Sequence, residues 1–488
     1  MPLRLTLRTT LLHDAPPAGD GRYVLYWMTT ARRPSWSFAL DRAVDWAREL
    51  RLPVLVFEAL RVDYRWASDR LHAFVLDGMR DNRRAFDAAG IGYYPYLEPS
   101  PHDGRGLLKA LAAEAAVVVT DRPPTIAHRG RVSTALSHGP ARAEEVDGSG
   151  LLPLDAPPDG LVFPSAYAFR RYLQRHLPTH MDTWPRAISA TRGSVPPAPA
   201  LSPDVLSRWP PADGEALRGD HALASLPVNH DIQRVALDGG ADAGRARLDA
   251  FIAHGLTAYE DLRNHPDEDA GSHLSAYLHF GHVSAHEIVH RVLAHEGWTS
   301  ASLATSAKGA KAGWWGISPS AEAFLEQVVT WRELGFNMSA RRPDYDAFDS
   351  LPRWAIATLE EHANDPRAHA YALEDFANAR THDPMWNAAQ RQLVTEGRLH
   401  NYLRMLWGKK ILEWTASPRE ALAVMIELNN RYALDGRDPN SYSGIFWVLG
   451  RYDRPWPVRP IFGAVRYMTS ESTARKLRVK AYLRRYGP

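Results

Sequence analysis

The chain has 488 residues, 45% hydrophobic and 23% charged, with a formal net charge of +2, a globular composition long enough for two or three domains. It contains no cysteine, which excludes disulfides, thiolate metal sites, iron–sulfur clusters and a cysteine nucleophile. No apolar run approaches the ~18 residues of a membrane span, and the first twenty residues carry Arg4, Arg8, His13 and Asp14 instead of an apolar core, so the expectation is a cytoplasmic protein without a secretory signal.

The first 125 residues alternate in type. Short β-rich runs, YVLYWM (23–28), LPVLVFEAL (52–60), IGYYPYLEP (91–99) and AAVVVTD (115–121), are separated by helical patterns such as SFALDRAVDWAREL and RLHAFVLDGMRDNRRAFDAAG. Strand–helix–strand at this spacing predicts a Rossmann-like parallel sheet with crossover helices. The GxGxxG dinucleotide fingerprint is missing after the first strand, so a standard NAD site is not expected. Residues 192–215, RGSVPPAPALSPDVLSRWPPADGE, are rich in proline and small polar residues and should cross the surface without regular structure.

Beyond about residue 240 the apolar spacing is i, i+3, i+4 almost throughout. It runs through DAGRARLDAFIAHGL, SAHEIVHRVLAHEG, SAEAFLEQVVTWRELGFNM, DPMWNAAQRQLVTEGRLHNYLRMLWGKKILEWT and SPREALAVMIELNNRYAL. Ser417, Pro418 and Glu420 form an N-cap with proline at the first helical position. The predicted organisation is an α/β domain over 20–160, an interdomain linker over 161–240 and an all-α domain over 241–488.

Two features of the helical half call for more than packing. Most of the sixteen tryptophans fall after residue 290. Trp407 and Trp414 are seven residues apart, two helical turns, so both indoles share one face beside Arg404, Lys409 and Lys410. Such a stripe is either core or a row of oxidisable rings. From Arg451 onward ten Lys/Arg face only Asp453 and Glu471, which is either a phosphate-facing surface or a solvated end.

The helical half resembles the photolyase/cryptochrome family, most closely the class II cyclobutane pyrimidine dimer photolyases. The motifs are YEDLRNHPDEDAGSHLSAYLHFGHVSA (259–285), WREL (331–334), MWNAAQRQLVTEGRLHNYLRMLWGKKILEWT (385–415), LNNRYALDGRDPNSYSGIFW (428–447) and RPIFGAVRYM (459–468). The opening RYVLYWMTTARR is similar to the first strand of the class II antenna domain. Coverage is about 20–125 and 245–470, and residues 126–240 match nothing.

The resemblance implies an antenna-type α/β domain, an all-α domain holding FAD, and UV-damaged DNA as partner of a monomeric enzyme. Ser272, His273, Leu274 and Ser275 correspond to the segment that holds the FAD phosphates, where a helix start offers N–H groups to anions; read alone they are a plain helix start. Tyr259 corresponds to a residue near the same phosphates, and Arg332 of WREL to a cofactor contact. Asp435, Asp438 and Asn440 correspond to the turn lining the flavin ring and ribose. Asn429 corresponds to the residue facing flavin N5, where a neutral amide accepts or donates and suits fully reduced flavin, the repair state. Trp407, Trp386 and Trp414 correspond to the relay that carries an electron from the surface to the flavin.

Trp331 and Trp447 correspond to the lesion-facing aromatics, while Asn401 and Met405 stand where (6-4) photolyases carry paired histidines, which argues for cyclobutane dimers. Arg451 and Arg454 are expected to meet DNA phosphates. Two departures stand out: Gln327 replaces the family's lesion-binding glutamate, and Phe336 replaces an acidic residue. The expected activity is therefore a deoxyribodipyrimidine photo-lyase, a FAD-dependent carbon–carbon lyase. The alternatives are a cryptochrome-type blue-light photoreceptor, disfavoured by a chain that stops about twenty residues past the motifs, or repair of another lesion such as the (6-4) photoproduct. An antenna chromophore of deazaflavin or folate type is compatible, but no residue demands one.

Overall fold

The computed structural model describes residues 7–139, 141–187, 193, 195–197, 200–217 and 223–487. Arg192, Ser194, Ala198 and Pro199 of the proline-rich connector lie outside the described residues. The chain divides into two units, one of Met1–Leu161, His176–Asp249 and Leu274–Ala294, the other of Val162–Arg175, Ala250–His273 and His295–Pro488.

The first unit is built on a six-stranded sheet. Its strands are β1 (Thr9–His13), β2 (Tyr23–Met28), β3 (Val54–Leu60), β4 (Gly92–Leu97), β5 (Ala115–Asp121) and β6 (Arg142–Val146), in the order β1-β6-β5-β2-β3-β4. All pairings are parallel except β1 with β6. The four expected strands are present; β1 and β6 are additions that extend one side of the sheet.

Because side chains alternate along a strand, β2 feeds two cores. Tyr23 and Leu25 face one, with Leu107 and Leu111 of α3 (Leu107–Ala113) and Leu136 of α4 (Ile126–Leu136). Val24, Tyr26 and Met28 face the other, with Phe38, Val44 and Ala47 of α1 (Phe38–Leu50) and Phe86 of α2 (Asp69–Ala89). Near-continuous apolar strands are what a sheet covered on both faces requires.

The expected linker 161–240 is shared between the units, 162–175 going to the second and 176–240 to the first. Nor is the connector devoid of regular structure. Pro203–Arg208 is a short helix, and Val205 and Trp209, four residues apart, enter the core beneath the sheet. Trp209 Nε1–H donates to Asp103 O at 2.9 Å, and Ala212 N–H to Pro95 O at 2.8 Å. The proline content hid two apolar anchors at helical spacing.

The second unit is helical. The elements that carry the candidate site are α5 (Ala166–His176), α6 (Pro319–Leu325), a π-helical segment Glu326–Trp331, α7 (Arg332–Arg341), α8 (Pro384–Glu396), α9 (Asn401–Trp414), α10 (Pro418–Tyr432) and α11 (Pro439–Val448). The expected run 383–415 is two helices. Gly397 ends α8 at φ 67°, a left-handed cap that side chains disfavour. Asp383 caps the start of α8, accepting from Met385 N–H at 2.9 Å and Trp386 N–H at 3.0 Å, with Pro384 at the first position. Ser417 and Pro418 start α10 as the sequence predicts, Ser417 Oγ accepting from Glu420 N–H at 3.1 Å.

Close approach between helices rests on glycine. A Cβ on Gly335 of α7 would lie 2.7 Å from Ser443 Oγ and 2.9 Å from Pro439 O of α11, and one on Gly408 of α9 would lie 2.6 Å from Val448 Cγ2. Among the described residues no helix is long and apolar enough to cross a membrane.

Candidate cofactor and electron-relay site

Trp386 on α8 and Trp407 and Trp414 on α9 form a contiguous row, with Trp386 in the middle. The Trp386–Trp407 centroids are 6.5 Å apart with planes at 5°, and the Trp386–Trp414 centroids 6.0 Å apart at 67°. All three are buried. Trp386 Nε1–H donates to Trp407 O at 3.0 Å and Trp407 Nε1–H to Gln390 Oε1 at 2.9 Å. These acceptors stabilise positive charge on an oxidised indole, which a low-dielectric interior would otherwise disfavour.

Trp414, at one end of the row, is only 2% exposed. Tyr371 continues the row, its ring 5.7 Å from Trp414 and its hydroxyl 2.8 Å from His382 Nδ1. His382 in turn stacks 3.7 Å from His369. Sequence reading missed this tyrosine because it lies outside helical register with the tryptophans, on the segment preceding the short helix Leu373–Ala377.

The cations flanking the row each have a separate engagement. Arg404 pairs with Asp435 at 3.2 Å. Lys410 pairs with Glu413 at 2.8 Å, 5.3 Å from the Trp414 ring. Lys409, fully buried, donates to Val448 O, a terminal carbonyl of α11, and lies 5.7 Å from the Trp447 ring. Burial pulls the Lys409 ammonium down to about 7.

Asn429, on α10, is held by its nitrogen. Its two Nδ2 hydrogens are donated to Gly436 O at 2.8 Å and Ser441 Oγ at 2.9 Å, and Asn430 Oδ1 lies 3.2 Å from the same nitrogen. Gly436 O can only accept, so the carboxamide cannot turn its own oxygen there. Oδ1 is therefore the open atom, without a hydrogen-bond partner among the described residues. Arg404 links Asp435 to Ser441 Oγ, the latter at 3.2 Å. Asp438 caps α11, accepting from Asn440 N–H at 2.8 Å, and the Asn440 side chain is exposed. A buried polar network that leaves the Asn429 amide oxygen open fits a flavin; Asn429 and Arg404 are residues that would meet its ring system.

The expected phosphate segment crosses the unit boundary, Ser272 and His273 in the second unit, Leu274 and Ser275 in the first. Leu274 precedes a five-residue helix, Ser275–His279. His273 has φ 56° and its Nδ1 lies 3.1 Å from the Arg398 guanidinium, which grips Asp269 through both nitrogens at 2.8 Å. Tyr259 is buried edge-on against Phe251 and Phe324. Arg332 is buried with its guanidinium 4.2 Å from the Phe336 ring. The residue that departs from the class II pattern therefore supplies a cation–π partner where a carboxylate would form an ion pair.

Gln327 and Trp331 lie on the π-helical segment, a backbone feature common at functional positions. Both are half-buried, and Gln327 has no hydrogen-bond partner among the described residues. Glu326, as the helical rotation predicts, points elsewhere, accepting from Arg170 Nε at 3.0 and 3.1 Å. Asn401 is exposed and Met405 half-buried, one turn apart on α9. Trp447 is half-buried, with Arg466 5.6 Å from its ring, and Arg466 and the exposed Arg454 flank Trp456 at 5.0 and 5.4 Å.

Arg451 departs from expectation. It is 3% exposed, donates to Tyr345 O at 2.8 Å and to Ser350 Oγ, and lies 3.7 Å from the Phe446 ring. Burial lowers its guanidinium to about 10. It ties α11 to the segment after α7 and offers nothing to a phosphate. Charge counting along the sequence could not separate it from Arg454.

A row of three buried tryptophans in a helical unit, together with a unit built on a mostly parallel sheet, is the arrangement of the photolyase/cryptochrome class. The chain is 32% identical over 97% of its length to a deoxyribodipyrimidine photo-lyase of Methanothermobacter thermautotrophicus, covering 96% of that protein. It is 33% identical over 98% of its length to that of Oryza sativa, covering 89%. It belongs to the photolyase/cryptochrome family. In fold it is similar to an Agrobacterium tumefaciens class III photolyase (TM-score 0.71, 17% identity, covering 97% of this chain and 88% of that one). A Synechocystis cryptochrome is also similar (TM-score 0.67, 15% identity, covering 95% and 88%). No protein-family model matches the chain.

Proposed function

We propose that this protein is a light-driven DNA repair enzyme that uses FAD to split cyclobutane pyrimidine dimers in UV-damaged DNA. The observation that carries the reading is the orientation of Asn429. With its two N–H groups spent on Gly436 O and Ser441 Oγ, it offers an acceptor. That acceptor suits the N5–H that flavin carries only when reduced. Bound, reduced FAD supplies on excitation the electron that opens the cyclobutane ring and recovers it afterwards.

The chain's own residues do the rest. Trp407, Trp386 and Trp414 return electrons to the flavin, with Tyr371 as the step towards solvent. Trp331 and Trp447 offer flat walls to a flipped dimer, and extrusion costs least at damaged sites. Arg454 and Arg466 supply positive charge for flanking phosphates. Neither Asn401 nor Met405 is an acid, which disfavours (6-4) chemistry.

One observation favours a second reading, a blue-light photoreceptor: Gln327 where the repair enzymes carry glutamate. The test is dimer repair under blue light by flavin-loaded protein, with a (6-4) substrate in parallel. Loss of dimers in light but not in darkness is the expected result. Reducible flavin and DNA binding without repair of either lesion would overturn the reading in favour of the photoreceptor.

A further inference from the structure

The hydrogen bonds around Ser441 leave its proton without an acceptor. A serine hydroxyl accepts through two lone pairs and donates once. Both acceptor positions of Ser441 Oγ are filled, by Asn429 Nδ2 at 2.9 Å and by Arg404 NH1 at 3.2 Å. Among the described residues nothing accepts from it, although the residue is only 4% exposed. A buried hydroxyl in this state leaves its donor unsatisfied unless a ligand takes it. Arg404, ion-paired with Asp435, adds a positive charge to one lone pair and so makes the hydroxyl a stronger donor.

The neighbour completes the pattern. Asn429 presents only an acceptor, Oδ1, and Ser441 presents only a donor, and the two side chains are in hydrogen-bond contact. A donor beside an acceptor is the complement of a ring edge with a carbonyl beside an N–H. Reduced flavin has such an edge at N5 and the adjacent ring carbonyl.

We infer that Ser441 contacts the cofactor directly, its hydroxyl donating to a flavin carbonyl oxygen while Asn429 Oδ1 accepts from the adjacent ring N–H. The inference rests on the flavin reading above. It makes Ser441 a redox-tuning residue, because a donor to that oxygen stabilises the electron-rich reduced ring more than the oxidised one.

The test compares full-length wild type, Ser441→Ala and Ser441→Thr. Alanine is favourable within a helix, so the Ala variant should fold. Three quantities are read: FAD affinity of the apoprotein, the midpoint potential by dye equilibration, and the flavin carbonyl stretches by infrared difference spectroscopy. The Ala variant should bind FAD within about threefold of wild type but favour the oxidised form about tenfold more, the worth of one charge-assisted hydrogen bond, or ~30 mV for a two-electron couple. One carbonyl band should move to higher frequency. The Thr variant, which keeps the hydroxyl, should restore both. An unshifted potential and carbonyl band in flavin-loaded Ala variant overturns the inference alone. Failure of the Ala variant alone to bind FAD, with binding restored in the Thr variant, would support the direct contact and overturn the tuning role. Failure of wild type to bind FAD refutes the function proposed above and this inference with it.

Discussion

Trp386 and Trp407 are 21 residues apart in sequence, yet their indole planes are 5° from parallel, and the Nε1–H of one donates to the backbone carbonyl of the other. The pairing depends on the break at Gly397, which lets α8 and α9 fold back on one another. A continuous helix would have separated the two rings by some 30 Å at 1.5 Å per residue.

The middle position of Trp386 sets the first prediction. Trp386→Phe keeps a ring that packs on Phe376, 5.2 Å away, but one much harder to oxidise. Photoreduction of oxidised flavin should slow by about tenfold or more, equivalent to at least ~1.4 kcal/mol on the barrier. Repair by chemically reduced protein should be unaffected, because the repair electron does not pass through the row. Tyr371→Phe should leave the fastest step intact and lower the yield of long-lived reduced flavin. Transient absorption reads both, and wild-type kinetics in Trp386→Phe would reduce the row to packing.

Gln327 gives the second prediction. A glutamine amide donates to a pyrimidine carbonyl and accepts from an N–H while staying neutral at every pH. Dimer repair should therefore be real but submaximal, with little pH dependence from this position. Gln327→Glu adds a carboxylate next to Glu326, but Arg170 already neutralises that neighbour, so the new charge should be tolerated. Quantum yield of dimer repair should rise, at most by the worth of one charge-assisted hydrogen bond, about 1.5–3 kcal/mol. An unchanged or lower yield would mean that the π-helical segment does not aim this side chain at the lesion.

Arg454 and Arg451 make a matched pair for a third. They are three residues apart and identical in charge, yet one is exposed and the other buried. If Arg454 contacts a phosphate, Arg454→Ala should reduce the slope of log affinity against log salt by about one. Arg451→Met should leave that slope unchanged and instead lower the thermal midpoint, because Tyr345 O and Ser350 Oγ lose their donor. A salt slope altered by Arg451→Met would contradict its interior placement.

The elements legible in the sequence are those whose signal is local. β2 to β5 showed as β-rich runs between helical patterns, α10 as a serine–proline start, and the Trp407/Trp414 pair as a two-turn spacing. What escaped depends on contacts distant in the chain. β1 has half-exposed residues and no apolar run, so it becomes a strand only by pairing with β6. Trp209 reads as part of a proline-rich connector, and only the sheet beneath it makes it core. Arg451 and Tyr371 were misjudged or missed because burial and ring proximity come from tertiary structure. The open atoms of Asn429 and Ser441 emerge only when every hydrogen bond around them is counted.

Lys409 supplies the last prediction. Buried beside Trp447 with its ammonium donating to Val448 O, it is lowered from 10.5 to about 7 in the folded protein. The unfolded chain keeps a lysine near the ordinary value, so between about pH 7 and 10.5 the unfolded state binds more protons than the folded one. Stability from this residue must then rise with pH across that window, whereas below pH 7 both states are charged and the full cost of burying the ammonium is present. Lys409→Met keeps the aliphatic stem and removes the titration. Its thermal midpoint should match or exceed that of wild type by a few degrees at pH 6.5 if the buried charge outweighs its hydrogen bond, each ~1 kcal/mol shifting the midpoint by about 2–4 °C in a domain of this size. The difference should shift in favour of wild type as pH rises to 9.5. Subtracting the two midpoint-against-pH curves cancels every other titrating group, and a flat difference would mean that Lys409 keeps its ordinary proton affinity in the fold.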